Sequence, residues 1–204
     1  MPRTRVRPTR QQTLERLLDG AAEAFAERGF HGATVDDICA KAGLTRGAYY
    51  SSFGDKEELF LALSDRVAAA LTASLHHALE AVDPGAQTSW EDGVEGYLRH
   101  RKLDRNWHLL DTEVSLHAAR NSSFAARLAQ HGRAHRELLA RVLQAHLKRQ
   151  NLELRIDLDL LVRALLALGA GGWRQALIEP DALEPGQLLQ TFAPLLIRGA
   201  IGRP

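Results

Sequence analysis

Side chains that suit contact with a nucleic acid are concentrated at positions 46–50 of the chain. Arg46, Gly47 and Tyr50 lie together on one face if this segment is helical. A guanidinium can bond guanine O6 and N7 together. Gly47 costs about 1 kcal/mol in a helix relative to alanine, so we expect a compensating close approach of the backbone to a phosphate or a base edge.

The amino terminus adds a second group of cations. The first ten residues contain four arginines and no acid, which is typical of a disordered arm that contacts phosphates or a minor groove. A tail that only improves solubility has the same composition, so both interpretations stay open. The arginines are Arg3, Arg5, Arg7 and Arg10.

Two short helices must position Arg46. Thr34 and Asp37 have the spacing of a capping box that opens the first of them. Gly43 supplies the turn, and the second helix is expected over 45–53. Such a pair is a helix-turn-helix, whose second helix fits a major groove. Many helical bundles contain the same pair, so this spacing alone leaves an ordinary bundle open. The apolar side of the pair consists of Val35, Ile38, Ala42, Leu44, Tyr49 and Phe53.

Helical periodicity continues through the chain and predicts an all-α fold of about nine helices. Thr9 and Gln12 form a capping box for the first helix, which we expect to end at Gly29. Asp83-Pro84-Gly85 should stop the fourth helix. Residues 152–160 alternate like a strand but are interpreted as the start of a helix. The later helices are expected at 89–102, 104–119, 122–148, 157–178 and from Pro185, as first helical residue, to about 199.

The bulk properties favour a cytoplasmic protein. The 204 residues carry a net charge of +1 and are 45% hydrophobic, which is ordinary for a globular chain. We find no apolar run that could span a bilayer, and no apolar region after the basic amino terminus that would make a secretory signal. Cys39 is the only cysteine, which fits a reducing compartment. A small buried residue is the favoured role for Cys39, and a redox sensor is the alternative.

The segment TVDDICAKAGLTRGAYYSSFGDKEELF, residues 34–60, closely resembles the signature of the TetR family of bacterial transcription regulators. FAERGFHGATV, at the end of the first helix, extends the resemblance, which covers about residues 10–62. The resemblance implies a homodimer whose third helices enter successive major grooves of a pseudo-palindromic operator. It also implies a DNA-binding domain over 1–54 and a helical domain for ligand binding and dimerisation over 55–204.

The same resemblance assigns contacts with DNA to individual residues. Thr34 would hold a phosphate at the start of the second helix, and Tyr50 and Lys56 would hold phosphates on either side of the third. Ser52 stands where the family often has histidine and can still reach a phosphate. Tyr49 stands where an aliphatic residue is usual and is expected in the core, with a hydroxyl that reaches out. Base edges and backbone would be faced by Thr45, Arg46, Gly47 and Ala48. The predicted DNA contacts are Arg7, Arg10, Thr34, Thr45, Arg46, Gly47, Ala48, Tyr49, Tyr50, Ser52 and Lys56.

A ligand domain needs a pocket with apolar walls and a few polar groups. Four candidate residues share one predicted helix, and a fifth lies in the apolar segment near the end of the chain. An ordinary core that contains tryptophans has the same composition, so both interpretations stay open. The five residues are Trp107, His108, Glu113, His117 and Trp173. The effector itself is expected to be a small molecule that the sequence does not identify.

The last two helices, 157–178 and 185–199, are the predicted dimer interface. The first of them is apolar nearly all round and must be buried on more than one side. Its small residues would let a second helix approach closely, so that four helices meet about a two-fold axis. Completion of the monomer's own core is the alternative. Pro194 should kink the last helix. The small residues are Ala164, Ala167, Gly169, Ala170, Gly171 and Gly172.

Other chemistry has weak support. His131 and His135 have the i, i+4 spacing of zinc ligands, but no cysteine or carboxylate completes a set, so a solvated helix face is favoured. We find no nucleophile elbow, phosphate loop or dinucleotide motif, and we expect no cofactor or metal. The leading interpretation is a ligand-responsive, dimeric DNA-binding repressor. The alternatives are a regulator that responds to no ligand and a small all-α enzyme that uses Glu113, His117 or the pair His131 and His135.

Overall fold

The computed structural model describes residues 9–81, 93–94, 96–98 and 105–202, and the described residues are predominantly helical. Residues 93–94 and 96–98 belong to helical structure whose ends are not described. The all-α prediction is therefore confirmed. The helices with described ends are α1 (Arg10–Gly32), α2 (Val35–Ala42), α3 (Arg46–Tyr50), α4 (Lys56–Glu80), α5 (Arg105–Arg120), α6 (Ser122–Arg149), α7 (Leu158–Ile178) and α8 (Gln187–Ala200).

Some predictions fall outside the described residues. They concern Arg3, Arg5 and Arg7 of the amino-terminal arm, the stop at 83–85, and most of the helix expected over 89–102. Within the described part of the chain, no helix combines the length and the apolar character that a bilayer span requires.

The chain divides into two compact units. The N-terminal unit consists of residues up to Arg66 together with Leu109–Leu128, and the C-terminal unit consists of Val67–His108 and the chain from Ala129 onward. The division predicted between residues 54 and 55 therefore falls inside the N-terminal unit. The helices α4, α5 and α6 each contribute residues to both units.

Capping boxes begin the first two helices of the N-terminal unit, as predicted. The Thr9 hydroxyl accepts a hydrogen bond from the Gln12 amide at 3.2 Å, and Gln12 Oε1 accepts one from the Thr9 amide at 2.9 Å. Thr34 and Asp37 repeat this exchange at the start of α2, at 3.2 Å and 3.0 Å. Both boxes satisfy amides that a helix start leaves without internal partners.

Gly29 interrupts α1 instead of ending it. Its φ of 70° and ψ of 174° lie in a region that is almost restricted to glycine. The helix resumes for one more turn, through Gly32. A Cβ at position 29 would lie 2.7 Å from each carboxylate oxygen of Glu113, whose Oε2 accepts a hydrogen bond from the Phe30 amide at 2.6 Å. The prediction that α1 ends at Gly29 located this break but missed the turn that follows.

Aromatic rings fill the core of the N-terminal unit. The Phe30 ring packs against Phe60 and Phe124, with centroids 5.9 Å and 6.5 Å away. Burial of a side chain of this size stabilises a fold by about 1.5–3 kcal/mol. This core fixes α1, α4 and the start of α6 around the helix-turn-helix. Its largest fully buried side chains are Leu17, Phe30, Ile38, Tyr49, Leu59, Phe60, Val114 and Phe124.

The segment 152–160 is only partly the start of a helix, so that prediction needs correction. Glu153–Leu154 forms a short strand, β1, that pairs antiparallel with β2 (Ile201–Gly202). The helix begins after Asp157, whose Oδ1 accepts a hydrogen bond from the Leu160 amide at 2.9 Å. The strand partner lies at the far end of the chain, where local periodicity carries no information about it.

The last helix starts two residues later than predicted. Pro185 lies in a turn, in which the Gln187 amide donates to the Glu184 carbonyl at 3.0 Å. Gly186 takes a left-handed conformation before α8. Placement of Pro185 at the first helical position was therefore wrong, because this turn comes before the helix. Pro194 lies inside α8, and the helix continues past it to Ala200.

The C-terminal unit has a separate apolar core. Buried side chains from α4, α6, α7 and α8 form it together with two residues of the 93–98 segment. Its buried members are Leu75, Leu79, Val94, Leu98, Leu139, Val162, Leu189, Ala193 and Ile197.

Candidate nucleic-acid interface and effector cavity

The turn between α2 and α3 is rigid. Gly43 has a φ of 60° at the end of α2, and the Leu44 amide donates to the Cys39 carbonyl at 2.9 Å. The guanidinium of Arg16 in α1 donates to the Gly43 carbonyl at 3.0 Å. A Cβ at Gly20 would lie 2.7 Å from the backbone of Ile38 and of Ala42, so glycine permits α1 and α2 to pack this closely. The sequence analysis did not identify Gly20 or Arg16.

The third helix is shorter than the predicted 45–53. Thr45 caps it by accepting a hydrogen bond from the Ala48 amide at 3.3 Å, and helical structure ends at Tyr50. Ser51 and Ser52 both donate their hydroxyls to the Ala48 carbonyl, at 2.8 Å and 3.1 Å. Serine side chains that bond to the backbone in this way compete with the helix. The Ser52 hydroxyl is therefore engaged within the domain, and its phosphate contact stays a prediction.

Gly47 lies on an open surface. A Cβ added there would meet only the Thr45 hydroxyl oxygen, at 3.7 Å, among the described residues. Internal packing therefore does not explain a glycine at this position. The Ala48 side chain beside it is half-buried, whereas Thr45 and Arg46 are exposed. This surface is accessible for the close backbone approach that the sequence predicts.

Arg46 is held by a residue that the sequence analysis missed. Its Nη2 donates to Asp36 Oδ2 at 2.6 Å and its Nε donates to Asp36 Oδ1, so one carboxylate takes one edge of the guanidinium. The hydrogen bond to Asp36 raises the pKa of Arg46. Both side chains remain about two-thirds exposed, at 63% and 64%. No local pattern could have found the pair, because the partners lie on different helices.

Tyr49 lies in the core, as expected from the sequence, but its hydroxyl does not reach the surface, so no part of the side chain is exposed for the DNA contact that was also predicted for it. Its side chain has 0% exposure, and its ring lies 6.1 Å from that of Phe53. The hydroxyl has no hydrogen-bond partner among the described residues, and burial raises the pKa of Tyr49. The ring points into the core because the face of α3 that carries Tyr49 packs against the rest of the N-terminal unit. Tyr50 points the other way and is 58% exposed.

The ammonium of Lys56 is bound at the end of α1. It donates to the Ala33 carbonyl at 2.8 Å and to the His31 carbonyl at 3.3 Å, and it lies 5.0 Å from the centre of the Phe30 ring. Burial lowers the pKa of Lys56. A cation is favourable at a helix carboxyl terminus, so this residue has a structural role that the sequence did not indicate. Its contact with a phosphate stays a prediction.

Two of the remaining predicted DNA contacts are accessible. Arg10 and Thr34 are exposed at the starts of α1 and α2. The Thr34 hydroxyl donates to Asp37 Oδ2 at 2.6 Å. Arg7 lies outside the described residues.

Glu113 and His117 make contacts that hold the N-terminal unit together, and the ligand contacts predicted for them stay predictions. Both lie in the N-terminal unit. Glu113 accepts the hydrogen bond from the Phe30 amide, and His117 Nε2 lies 2.8 Å from Glu57 Oε1. The other Glu57 oxygen pairs with Arg127 at 3.1 Å. These groups join α5 and α6 to α1 and α4.

His108 and Trp173 do meet, within the C-terminal unit. Their rings stack with centroids 4.1 Å apart and an angle of 18° between their planes. His108 is buried, and Trp107 beside it is half-buried. None of these three residues lines the apolar cavity of the unit.

The apolar cavity has a volume of about 100 Å³. Among the described residues its lining contains no acidic side chain, lysine or arginine, and only Tyr97 and His135 bring polar side-chain atoms. An ionised molecule would lose its hydration there without compensation, so such walls favour an uncharged, mainly apolar ligand. From the sequence, His135 was a candidate only for a zinc site or for an enzyme site, paired with His131 in each case. The walls are formed chiefly by Leu71, Leu75, Val94, Leu98, Leu139, Leu143, Val162, Leu165, Leu166, Leu189, Ala193 and Ile197.

Metal binding and redox chemistry have little support among the described residues. In the part of the chain that is described, no three His, Cys, Asp or Glu side chains are grouped to hold a metal ion. Cys39 is buried within the helix-turn-helix, and burial raises the pKa of its thiol. A thiol of this kind is unreactive, which favours a packing role.

Comparisons with known proteins identify the family. Residues 17–63 match the family model described as bacterial regulatory proteins, tetR family. The transcriptional repressor Rv1474c of Mycobacterium tuberculosis is 30% identical over 166 residues, which cover 76% of this chain and 81% of that protein. The chain belongs to the TetR family of bacterial regulatory proteins. Membership confirms the prediction of a DNA-binding regulator made from residues 34–60.

Other relatives of this TetR-family protein agree with its fold. The transcriptional repressor AcnR of Corynebacterium efficiens is 32% identical over 120 residues, which span 57% of this chain but only 56% of that protein. A TetR transcription regulator from Haloarcula marismortui has a crystal structure that aligns with a TM-score of 0.68 and 19% identity. This alignment covers 94% of the present chain and all of the other, and it supports the fold across both units.

Proposed function

We propose that this protein is a dimeric, effector-controlled repressor that binds a pseudo-palindromic DNA operator in the cytoplasm. The observation that carries the proposal is the exposed face of α3, on which Arg46, Gly47 and Tyr50 remain accessible while Tyr49 anchors the helix in the core. Repression as the outcome is supported by relatives that are named as transcriptional repressors. Two such helices, about 34–36 Å apart, would enter successive major grooves.

An exposed apolar face on α7 and α8 supports the dimer. Leu160 and Ile178 on α7 are 60% and 72% exposed, and on α8 Leu195 is 55% exposed. A Cβ added at Gly171 or at Gly199 would meet no atom within 4 Å among the described residues, so another helix can approach the backbone there. Apolar side chains this exposed favour a protein partner. A second copy of the chain, related by a two-fold axis, would cover this face with its own α7 and α8.

The proposed effector is a small, uncharged and mainly apolar molecule. The absence of charged side chains from the described lining of the apolar cavity supports this choice. For scale, an engineered apolar cavity of about 150 Å³ binds benzene. An effector acts by binding the two states of the regulator with different affinities. We therefore expect it to lower operator affinity by favouring a state that does not fit the two half-sites.

The decisive experiment is selection of bound duplexes from a random pool with the full-length protein. The proposal expects an enriched sequence with two inverted half-sites about one helical turn apart. Absence of any enriched sequence at low salt would overturn the proposal of an operator.

A second experiment tests the effector. Neutral compounds such as toluene and cyclohexanol are added to the complex with the selected operator, beside benzoate as the charged comparison. Ala193→Leu, which enlarges a side chain in the cavity wall, should abolish release by a neutral compound and leave operator affinity unchanged. Equal release from the wild type and Ala193→Leu would show that the cavity is not the effector site.

A further inference from the structure

A second pocket in the C-terminal unit lies between the carboxyl-terminal ends of α4 and α6. It has a volume of about 290 Å³, and its described lining residues differ from those of the apolar cavity. We call it the α4–α6 pocket. Helix α4 contributes His76, Leu79 and Glu80, and α6 contributes Arg141, Val142, Ala145, His146 and Arg149.

His146 is the unusual group in the α4–α6 pocket. It is 6% exposed, and neither of its ring nitrogens has a hydrogen-bond partner among the described residues. Buried polar groups in native proteins are nearly always hydrogen-bonded, so a buried imidazole without a partner is an observation that needs an explanation. Burial, with a smaller effect of Arg149, lowers the pKa of His146. The neutral ring offers one N–H donor and one acceptor nitrogen.

The charges around the α4–α6 pocket favour an anion. Arg141 and Arg149 bring two positive charges, and Glu80 brings one negative charge that lies 3.7 Å from His76. A helix dipole can account for a cation only in the last turn of a helix. Arg141 lies about two turns before the end of α6, so the dipole does not explain its position. Guanidinium forks match the oxygens of carboxylates and phosphates.

A metal ion fits the α4–α6 pocket less well. His76, Glu80 and His146 are of the right types, but no three such side chains in the described ranges are grouped as a metal site. The volume corresponds to roughly ten water molecules in the liquid, which is enough for a small organic molecule. Leu79 and Val142 give the pocket an apolar wall for the carbon skeleton of such a molecule.

We propose that the α4–α6 pocket binds a small oxyanion, a carboxylate or a phosphate, through Arg141 and Arg149 at its rim and the His146 imidazole in its wall. The His146 N–H donates to an oxygen of the anion, which gives the buried ring the partner that the described residues do not supply. This site is separate from the apolar cavity, so the regulator has two ligand sites of opposite chemistry. The proposal does not depend on the operator or on the proposed effector.

The test measures direct binding to the full-length protein without DNA, by calorimetry and by the shift of the thermal unfolding midpoint at constant ionic strength. The probes are inorganic phosphate, glutarate and glutaramide, the uncharged counterpart of glutarate. Binding of phosphate or of glutarate supports the proposal and identifies which oxyanion the site prefers. Failure of both to bind, or equal binding of glutaramide, overturns it.

Variants locate the site. Arg141→Ala and His146→Leu should each weaken binding of the preferred probe roughly tenfold, as expected for loss of a hydrogen bond to a charged group. Arg133→Ala is the matched control, because Arg133 is an exposed arginine of α6 that does not line the pocket. It removes the same charge and should leave binding unchanged.

Two outcomes would overturn the assignment. Equal weakening by Arg133→Ala and Arg141→Ala would mean an adventitious ion only. Unchanged binding in a folded His146→Leu variant would mean that the ring merely packs. If His146→Leu fails to fold, His146→Gln replaces it, and this variant should keep more affinity than Arg141→Ala because the amide retains a donor.

Discussion

Asp36 holds the guanidinium of Arg46 by one edge, through Nε and Nη2. A guanidinium has a second edge, formed by its two terminal nitrogens, which can make a bidentate contact with guanine. Asp36 therefore restricts the rotamers of Arg46 while the second edge keeps its geometry for a base. Because both residues are exposed on neighbouring helices, the pair presents an oriented donor at the surface of the helix-turn-helix.

Arg46→Ala should weaken operator binding by roughly tenfold to a hundredfold and relax the preference at one base position. Fluorescence anisotropy with the selected operator and a repeated selection measure the two effects. Arg66→Ala is the control, since Arg66 is also an arginine paired to an acid, Asp19, at 2.7 Å. If the selected motif stays the same in Arg46→Ala, Arg46 does not read a base.

Asp36→Asn should reduce sequence preference without reducing overall affinity. The change removes a negative charge close to the DNA phosphates and releases the guanidinium from its fixed position. We expect affinity for random duplex to rise and the ratio of specific to random affinity to fall roughly threefold or more. Titrations at several salt concentrations measure this ratio. Asp19→Asn, which removes the same charge from the partner of Arg66, should leave the ratio unaltered, and a similar fall there would contradict the role of Asp36.

Tyr49→Phe should leave operator affinity unchanged and raise the free energy of unfolding by about 1 kcal/mol, because a buried hydroxyl without a partner destabilises the fold. Denaturant titration at pH 7 measures the stability. A loss of operator affinity in a stable Tyr49→Phe protein would restore Tyr49 as a DNA contact.

The stability difference between Tyr49→Phe and the wild type should depend on pH in the alkaline range. Burial raises the pKa of Tyr49, so the folded state keeps a proton that the unfolded state loses near pH 10. The unfolded state then binds fewer protons, and wild-type stability should fall as pH rises above about 10. Tyr49→Phe lacks this contribution, so its stability advantage should widen between pH 9 and about 11. A constant difference between the two proteins would argue against the buried hydroxyl.

Leu195→Arg should dissociate the dimer, because a charge placed in an apolar interface is buried without a partner. We expect the dimer dissociation constant to rise on the order of a hundredfold, with a parallel loss of operator affinity. Sedimentation velocity across a concentration series measures the first effect. Leu116→Arg serves as the control, since Leu116 is 52% exposed on α5, outside the proposed interface. A dimer that survives Leu195→Arg would place the interface elsewhere.

Features set by neighbours along the chain were predictable from the sequence. The capping boxes at Thr9 and Thr34 join residues three positions apart, and the helical face of α2 repeats within a few turns. The signature over 34–60 also led to the correct family, because many positions of one short segment carry it.

Features set by distant parts of the chain were not predictable. Glu113 binds an amide 83 positions away, and Lys56 binds a carbonyl 23 positions away. From the sequence, Glu113 is equally suited to a ligand pocket and Lys56 to a phosphate contact. Nothing in the sequence distinguishes these roles from the contacts within the N-terminal unit. The buried face of α3 was predictable, because Tyr49 continues the apolar pattern of the pair, but the orientation of its hydroxyl depends on the surrounding core and was not.

The hydrogen bond from Phe30 to Glu113 bears on how regulators of this kind can be recombined. A chimera that fuses only the first 66 residues to a foreign sensor would lack Leu109–Leu128, which belong to the same compact unit. The break at Gly29 would then lose the acceptor for the Phe30 amide, and the ring of Phe124 would be missing from the aromatic cluster. A DNA-binding unit that is to be transferred to another sensor domain therefore has to include Leu109–Leu128.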